Sequence, residues 1–432
     1  MLSFNRRVLA TGAAAAAVAL SLAACGVGSP AAEEPQASGA AEGEITGEIS
    51  FQTWNLKASF EDYFNGVIDD FEAEHPGTTV KWIDQPAEGY ADKLSADAAG
   101  GTLPDVVNID RGTGSPLAEA GMLLNLDEAD PEAGPDFLAS AWDGNDWTDV
   151  GGHYAYPWYL NTGPSLFNTA LFEKAGLDPK AIPTNYDELY DAALQMAEKS
   201  NGKFAMLGVL PGTEMMEKYG IEVMNADQTE YTFNGPEAVA LVEKYKEMYE
   251  AGAILPEALT DDYVGEGENF NSGRLAFMDG SAYAIQNLKD NAPSVYKSLV
   301  YTKQITNTGP VGYSQSVAVS AGSENKATAI AFAKFVTNAE NQVEFAKQVN
   351  IFPSTEGSLD DEYFHTSDGS DDAEVRVMSA EQLPDALISR TPGSEALKTE
   401  TRDQIAQAVL GKKPVQEALD AAVAFGNEQL QG

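Results

Sequence analysis

The single cysteine of this 432-residue chain, Cys25, lies directly after a short apolar segment. Arg6 and Arg7 precede an uncharged, alanine-rich run over 8–24, which ends in small residues. Two cations, a short apolar run and a small-residue cleavage site are the parts of a secretory signal peptide. The run is shorter than the ~20 apolar residues that a membrane-spanning helix needs. We therefore expect 1–24 to be a signal peptide.

The tetrapeptide that ends at this thiol, Leu22-Ala23-Ala24-Cys25, resembles the lipobox of bacterial lipoproteins. The resemblance implies that the Cys25 sulfur is diacylated and that the chain is cut just before it. Two acyl chains hold a protein durably at a membrane, whereas one gives marginal attachment. Cys25 is thus the expected lipidation site, and the mature protein is expected on the cell surface, at the outer face of the cytoplasmic membrane.

The other residues with catalytic or metal-binding chemistry form no recognisable motif. His75, His153 and His365 are the three histidines, and none has the spacing of a zinc site. The sequence has no nucleophile elbow, phosphate-binding loop or dinucleotide-binding glycine motif. Because 67 residues are Asp or Glu, finding a glycosidase-like carboxylate pair has no discriminating value. The sequence favours a binding protein that is not an enzyme and uses no cofactor or metal.

The composition narrows the class of partner. A formal net charge of -41 argues against nucleic acid and anionic lipid surfaces, since both would repel the chain. Hydrophobic residues make up 43% of the sequence, which is enough for packed cores. A chain of this length favours two domains rather than one. With one cysteine, stability must come from packing and not from disulfides.

The segment from Cys25 to residue 46 is rich in Ala, Gly, Pro, Glu and Ser, and we expect a flexible tether there. Periodicity and cap signals beyond it predict strands alternating with helices, and hence a mostly parallel sheet. The expected strands cover 48–54, 79–83, 105–109, 205–210, 275–278 and 311–320, with a hairpin at 225–233. The expected helices cover 59–74, 87–99, 185–199, 236–251, 326–336, 394–410 and 414–430.

Several segments, taken in order, resemble the sugar-binding family of bacterial extracellular solute-binding proteins of ABC importers. They are GGTLPDVV at 100–107, YAYPWY at 154–159, LFNTALFEKAGLDP at 166–179, FNSGRLAFMDG at 270–280, the strand at 311–320, and IFPS at 351–354. The resemblance covers most of the mature chain, and maltose-binding-protein-like lipoproteins are its nearest type. It implies an α/β fold of the periplasmic-binding-protein type II, with two α/β lobes, a hinge and a ligand cleft between the lobes.

The order of segments in this family implies which residues belong to each lobe. It places 47–158 and 310–350 in lobe 1, and 159–309 and 375–432 in lobe 2, with 351–374 as an acidic loop that crosses between them. Clustered carboxylates suit Ca²⁺, but the acidic loop lacks the ligand spacing of an EF-hand. The family implies that a monomeric protein closes on a small carbohydrate and delivers it to the membrane subunits of an ABC permease.

Sugars present apolar C–H faces and hydroxyl edges, so rings and polar side chains at strand ends are the expected contacts. The candidate ligand-binding residues are Trp54, Asn55, Asp110, Arg111, Trp158, Tyr159, Asn161, Asp279, Tyr283, Gly312 and Tyr313. Core packing is the alternative role for the aromatic residues among them. Tyr283 departs from the family, in which a Trp often stands nearby. Met215, Met216 and Tyr219 mark a loop where lobe 2 contacts are also expected.

Three alternatives remain open at the level of the sequence, and one of them is a structural surface lipoprotein, which would lack any cleft between lobes. The solute is a carbohydrate in the leading interpretation, and a polyamine, a polyol phosphate or a metal chelate in the alternative. A secreted carbohydrate-active enzyme is a further alternative from a different class, and it requires two carboxylates at a fixed separation across a bound sugar.

Overall fold

The computed structural model describes residues 40–148, 150–260, 263–388 and 395–430. The expected signal peptide, Cys25 and most of the expected tether lie outside the described residues. No helix within the described ranges has both the length and the apolar character needed to cross a membrane.

The described strands are short and are spread along the whole chain. They are β1 Gly47–Trp54, β2 Thr78–Gln85, β3 Val106–Ile109, β4 Asp146–Trp147, β5 Gly152–His153, β6 Ala155–Asn161, β7 Ser165–Asn168, β8 Phe277–Asp279, β9 Leu299–Thr302, β10 Val311–Val319, β11 Phe352–Pro353 and β12 Leu387–Ile388.

The described α-helices lie between the strands and at the end of the chain. They are α1 Lys57–Glu74, α2 Tyr90–Ala99, α3 Arg111–Glu119, α4 Leu126–Ala129, α5 Ala139–Gly144, α6 Thr169–Ala175, α7 Tyr186–Ser200, α8 Thr213–Tyr219, α9 Pro236–Ala251, α10 Tyr263–Asn271, α11 Ala282–Asn291, α12 Pro293–Tyr296, α13 Lys326–Val336, α14 Ala339–Ala346, α15 Asp371–Ala380, α16 Glu395–Val409 and α17 Val415–Gln429.

The larger sheet has the strand order β11-β6-β10-β3-β1-β2, with β12 paired to β10. β1 is parallel to β2 and β3, whereas β10 is antiparallel to both β3 and β6. The sheet is therefore mixed, and the expectation of a mostly parallel sheet is wrong here. The reason is that β10 returns from a distant part of the chain to lie between β3 and β6, an event that no local pattern records.

Helices cover both faces of this sheet. Alternate residues of a strand point to opposite faces, and on β3 Val106 packs with α1 and α13 while Val107 packs with α2 and α3. Phe51 of β1, which is fully buried, lies 5.2 Å from Phe332 of α13 between ring centroids. Burying one such side chain stabilises the fold by about 1.5–3 kcal/mol. We call the hydrophobic clusters on the two faces of this sheet, taken together, the first core.

A second sheet, in the order β8-β7-β9, has its own hydrophobic cluster. Its strands pack with α6, α7 and α9, and the C-terminal α16 and α17 join them. The residues of this second core fall within 166–305 and 397–423, with Val375 added from α15. Those of the first core fall within 49–160 and 317–386. The chain thus leaves the first core after β6 and returns to it at β10.

Local sequence signals account for several helix ends. Pro236 begins α9, and Gly252 follows it with a φ of 78°, a left-handed conformation that glycine adopts without strain. Asn185 caps α7 by accepting a hydrogen bond from the Glu188 N–H. Asn185, rather than the preceding Thr184, is therefore the cap residue of α7. Ser59, a residue type common at helix caps, lies inside α1.

Three expected boundaries are corrected by packing. Residues 40–46 of the expected tether are structured, and Thr46 N–H donates to Thr328 Oγ1 over 2.9 Å. The acidic loop 351–374 contributes Phe352 and Phe364 to the first core. Leu383, expected in lobe 2, also packs in the first core. In the last two cases apolar side chains among polar ones are buried, which mean composition does not reveal.

Two elements that were expected between residues 205 and 233 are less regular in the structure than predicted. Residues 205–210 make only isolated parallel bridges, Ala205 to Leu275 and Leu207 to Ile254, rather than a full strand. The hairpin expected at 225–233 is a turn closed by one bridge between Met224 and Tyr231.

Candidate functional site

A cavity of about 260 Å³ lies between the two cores, at the carboxyl end of β3 and the start of β10. We call it the cleft cavity. In open α/β sheets, ligands bind beyond the carboxyl ends of strands, where the strand order changes direction. The first sheet has that arrangement at β1 and β3, since the chain runs from β1 to β2 on one side and then to β3 on the other.

Residues from both halves of the fold line the cleft cavity. They are Asp110, Arg111, Gly112, Gly144, Asn145, Thr213, Glu214, Gly312, Tyr313, Ser314, Gln315, Ile388 and Lys398. The set has one ring, several hydroxyl and amide groups, and charged side chains of both signs. Such a lining suits a polar ligand that offers both faces and hydrogen-bonding edges.

The first turn of α3 places Asp110 and Arg111. Asp110 is the N-cap residue, and its Oδ1 accepts a hydrogen bond from the Thr113 N–H over 2.8 Å. Arg111 is buried, and its guanidinium donates to the carbonyl of Asp146 over 3.1 Å and to Gln228 Oε1 over 2.8 Å. The strand end and the cap together therefore bring both side chains to the cavity.

The contact between Arg111 and Gln228 joins the two halves of the fold. Gln228 lies in the turn at 225–230 with a φ of 55°, an unusual conformation for a residue with a side chain. Asn225 Oδ1 fixes this turn by accepting from the N–H groups of Thr229, over 2.9 Å, and Glu230, over 3.2 Å. The Gln228 amide is thus presented by a preformed turn.

Glycines at the cavity permit close packing. A Cβ on Gly312 would lie 2.7 Å from Ile388 Cδ1, and one on Gly144 would lie 2.5 Å from Ile388 Cγ2. Because both distances are shorter than real Cβ contacts, a side chain at either position would require Ile388 to shift. The small residues keep this wall of the cavity in place.

Tyr313, Glu214 and Lys218 form a connected polar group beside the cavity. Tyr313 is 50% exposed and lines the cavity together with Glu214. Lys218 is buried, and its Nζ lies 2.9 Å from Glu214 Oε1 and 3.0 Å from Asp279 Oδ2. The i, i+4 spacing on α8 brings Glu214 and Lys218 to the same face of that helix.

This group shifts the titration of its members. Burial raises the pKa of Glu214, but the Lys218 ammonium and the Tyr313 hydrogen bond outweigh it and leave the carboxyl pKa below its usual range. Burial lowers the pKa of Lys218, but Asp279 and Glu214 outweigh it and hold that pKa above the ordinary lysine value. Burial and the Glu214 charge raise the pKa of Tyr313. At neutral pH the carboxylate and the ammonium are charged and the phenol is protonated.

A second cavity, of about 490 Å³, lies beside the end of β6. We call it the β6 cavity. Asn161 and Tyr283 line it, and Tyr283 is 79% exposed. Residues 348–352 and α15 complete its walls. The structure therefore separates these two predicted contacts from Asp110, Arg111, Gly312 and Tyr313, which line the cleft cavity.

Trp158, a predicted ligand contact, lies in the first core and lines neither cavity. Its side chain is fully buried in the first core, with ring centroids 5.8 Å from Phe64 and 5.8 Å from Phe345. Tyr159 also packs on Phe345, at 5.8 Å. The alternation of β6 turns Trp158 to the face covered by α1 and α14, and the sequence does not say which face that is.

The remaining predicted residues line neither of the two cavities. Trp54 packs on Tyr90, with ring centroids 6.1 Å apart, and Asn55 follows it with a φ of 55°. Asp279 belongs to the charged group around Lys218. Met216, predicted as a contact, is fully buried in the second core.

Sequence reasoning missed several lining residues, of which Glu214 and Lys398 carry charge. Met215, the neighbour of Glu214, was predicted as a ligand contact, so the sequence indicated the correct segment but not the residue that lines the cavity. The four-residue spacing of Glu214 and Lys218, which places both side chains on one face of a helix, could have indicated this charged pair. Lys398 sits on α16, far away in the sequence, and no local signal points to it.

Within the described ranges, no group of three or more His, Cys, Asp or Glu side chains could hold a metal ion. The side chains at the cleft cavity are suited to hydrogen bonding and ring contact.

Comparison with known proteins identifies relatives of this chain and solved structures with a similar fold. The sn-glycerol-3-phosphate-binding periplasmic protein UgpB of Escherichia coli K12 is 24% identical over 394 residues, covering 84% of this chain and 87% of that protein. A periplasmic-binding protein of Synechococcus sp. MITs9220 superimposes with a TM-score of 0.78 at 26% identity, covering 89% of this chain and 99% of that one. A cyclic alpha-maltosyl-1,6-maltose binding protein of Arthrobacter globiformis gives a TM-score of 0.70 at 20% identity, covering 89% and 99%.

These likenesses confirm the predicted α/β fold of the periplasmic-binding-protein type. The family model for bacterial extracellular solute-binding proteins matches residues 57–343, more than half of the chain. That range includes the start of α3, the charged group on α8 and the start of β10, three of the segments around the cleft cavity. The chain belongs to the family of bacterial extracellular solute-binding proteins.

Proposed function

We propose that this protein is a lipid-anchored extracellular receptor that captures a carbohydrate in the cleft cavity and delivers it to an ABC importer permease. One observation carries the proposal: the cavity takes its lining from both cores, with Asp110 and Arg111 from one and Thr213 and Glu214 from the other. A ligand held this way bridges two separately packed bodies. Binding, rather than catalysis, is what such an arrangement does.

The chemistry of the lining favours a sugar. Tyr313 offers a half-exposed ring for a C–H face, while Asn145, Ser314 and Gln315 offer amide and hydroxyl groups for hydroxyl edges. The relative from Arthrobacter globiformis carries the name of an oligosaccharide-binding protein, which agrees with this class of ligand. A volume of about 260 Å³ suits a small saccharide unit.

Lobe closure follows from the same geometry. A ligand that contacts both halves binds the closed form more tightly than the open form, and therefore shifts the population toward closure. The hydrogen bond from Arg111 to Gln228 belongs to the closed form, because it joins the two halves directly. The closed protein is then the form that a permease recognises.

A direct experiment is a thermal-shift and calorimetry screen of the protein starting at residue 26. The panel contains D-glucose, D-galactose, maltose, maltotriose, glucose 6-phosphate and sn-glycerol 3-phosphate. A ligand at a hundred times its dissociation constant stabilises a protein by about 2.7 kcal/mol. We expect at least one neutral sugar to raise the melting temperature, and Thr213→Val with Ser314→Ala to abolish that rise. Stabilisation by none of the panel contradicts the proposal.

A polyol phosphate is the second candidate ligand. The Escherichia coli relative is named for sn-glycerol 3-phosphate, and Arg111 and Lys398 line the cleft cavity here. Tighter binding of a phosphate ester than of every neutral sugar in the panel would support this candidate.

The anchor is tested separately, in a bacterial host that processes lipoproteins. The full chain is expected in the membrane fraction and in the detergent phase of a Triton X-114 extract. Cys25→Ser removes the acylated sulfur, so the protein is expected to move to the aqueous phase. A Ser21→Cys, Cys25→Ser double variant is the control, because it restores a thiol at the wrong position. Retention of the Cys25→Ser protein in the detergent phase would refute lipidation at this site.

A further inference from the structure

The tetrapeptide Asn-Thr-Gly-Pro occurs twice in this chain, at 161–164 and at 307–310. We call the two copies the first and the second NTGP segment. The first runs from the last residue of β6, in the larger sheet, to the residue before β7, in the second sheet. The second copy lies between β9 of the second sheet and β10 of the larger sheet. The same four residues therefore stand at two places where the chain passes from one half of the fold to the other.

In the first NTGP segment, the residues on either side of the glycine are held by different halves. Thr162 Oγ1 donates to the carbonyl of Val311, the first residue of β10, over 3.1 Å. The Pro164 carbonyl accepts from the N–H of Gly280, which follows β8, over 2.9 Å. β10 belongs to the larger sheet, whereas β8 belongs to the second sheet. Gly163 therefore separates an attachment to one half from an attachment to the other.

The second NTGP segment has the same arrangement in reverse order. The Asn307 N–H donates to the carbonyl of Lys218 in α8 over 2.9 Å, and α8 packs in the second core. The Pro310 carbonyl accepts from the Leu387 N–H over 2.7 Å, and Leu387 belongs to β12, which is paired to β10. Gly309 thus lies between an attachment to the second core and an attachment to the larger sheet.

Neither glycine has free space for a Cβ atom. A Cβ on Gly163 would lie 1.9 Å from the carbonyl oxygen of Gly280, and one on Gly309 would lie 3.0 Å from that of Asp385. Glycine has the widest choice of backbone dihedral angles, whereas the proline that follows each glycine has its φ fixed near about -65°. Each segment therefore joins one freely rotating residue to one stiff residue, and any bending is concentrated at the glycine.

Buried hydrogen bonds link the two NTGP segments through Val311. Its carbonyl accepts from Thr162 of the first segment, and its N–H, directly after the second segment, donates to Gln304 Oε1 over 2.6 Å. The Gln304 N–H donates in turn to Gln382 Oε1 over 2.7 Å. All four of these residues are buried. The ends of the two segments are therefore tied to each other, and their glycines share one frame.

We propose that Gly163 and Gly309 are the two pivots about which the halves of this protein rotate. Two points in one frame define a single axis, so the halves move as rigid bodies with one hinge motion. The inference rests on the lobe closure proposed above and names the residues that permit it. Because Gly312 and Tyr313 follow the second pivot closely and line the cleft cavity, rotation at this pivot moves the wall of the cavity.

The test measures the distance between the halves by pulsed electron paramagnetic resonance, in the protein starting at residue 26. This protein lacks Cys25, the single cysteine of the chain, so Lys81→Cys in β2 and Glu243→Cys in α9 provide the two spin-label sites. Both positions are exposed, and β2 is the edge strand far from β6 and β10, where rotation gives a large displacement. Without ligand we expect a broad distribution of label-to-label distances, and with maltose a shift to the shorter distances.

Gly309→Ala is the main variant, because its Cβ requires the Asp385 carbonyl to move by only a few tenths of an ångström. An alanine before a proline is confined to extended conformations, so we expect the variant to lose part of the distribution and to give one narrow distance. Gly66→Ala is the matched control, since it adds the same methyl group to α1, where neighbouring elements leave open space. Its distance distribution should equal that of the wild type.

Thr162→Val keeps the shape of the side chain and removes the hydrogen bond to Val311, so it should broaden the distribution. Circular-dichroism melting shows whether each variant is folded, and if Gly309→Ala is not, Thr162→Val decides. The inference is overturned by one narrow distance in the wild type under both conditions, by a wild-type distribution in the folded variant that decides, or by equal narrowing in Gly66→Ala. Halves that move in the expected way without binding any sugar of the panel support the inference and contradict the proposed carbohydrate ligand.

Discussion

At the scale of single residues, Trp158 shows how a good ligand-binding residue type is diverted to packing. Its fully buried ring lies against Phe51, Phe64 and Phe345 in the first core. We expect Trp158→Ala to lower the free energy of unfolding by about 3–5 kcal/mol, measured by urea denaturation. Trp158→Phe, which fills most of the space, should cost less and leave sugar affinity unchanged. A Trp158→Phe protein of normal stability that loses sugar binding would show that the ring contacts the ligand after all.

The charged group at Glu214 predicts how sugar affinity depends on pH. The pKa of Glu214 is lowered, so its contribution is complete above the ordinary carboxyl pKa of about 4.3 and is lost only as pH falls through the lower folded value. The raised pKa of Lys218 and of Tyr313 keeps both protonated beyond about pH 10. Calorimetry should therefore give constant affinity from about pH 5 to 9 and a decline below about pH 4. A decline centred near pH 7 would contradict this assignment.

At the scale of elements, α3 begins at a residue with two roles. Asp110 caps the helix and also lines the cleft cavity. Asp110→Ala removes the cap and should lower the free energy of unfolding by about 1 kcal/mol, whereas Asp110→Asn keeps a capping oxygen and should cost little. Both variants remove the carboxylate, so both should weaken sugar binding. Equal melting temperatures for the two variants would exclude the capping role.

The strands decide the position of the cavity more than the helices do. β10 brings Gly312 and Tyr313 beside the end of β3, and the close contact of Gly312 with Ile388 leaves no room for a side chain. α13, by contrast, serves packing, because Ala329, Ile330, Phe332, Ala333 and Val336 are buried in the first core.

At the scale of the whole molecule, the hydrogen bond from Arg111 to Gln228 joins the two halves, and we expect it to favour the proposed closed form. Gln228→Asn shortens the side chain by one methylene, and Asn tolerates the left-handed backbone of that turn. We expect the free protein to expand in small-angle scattering, and sugar affinity to fall about tenfold, since the closed form becomes less populated. Gln407→Asn on the exposed face of α16 is the control. An unchanged radius of gyration and affinity would show that this contact does not hold the halves together.

The sequence by itself determined the local elements and the family. The helices 236–251 and 326–336 have the predicted bounds, because their caps and apolar spacing are local properties. It also predicted that β3 ends before Asp110, because a buried apolar run followed by polar residues marks where a strand leaves the sheet. The resemblance of several ordered segments predicted the family and the fold, which the comparisons confirm.

Only the tertiary structure decided which side chains meet. The antiparallel return of β10, the burial of Trp158 and the approach of Glu214 to Tyr313 all depend on contacts between segments about a hundred residues or more apart. The pattern of a strand predicts that its side chains alternate between two faces, but not which face other elements cover. The pattern of a helix predicts which side chains share a face, but not which element packs against that face. The cleft cavity exists because distant segments pack together, and that information is spread over the whole chain.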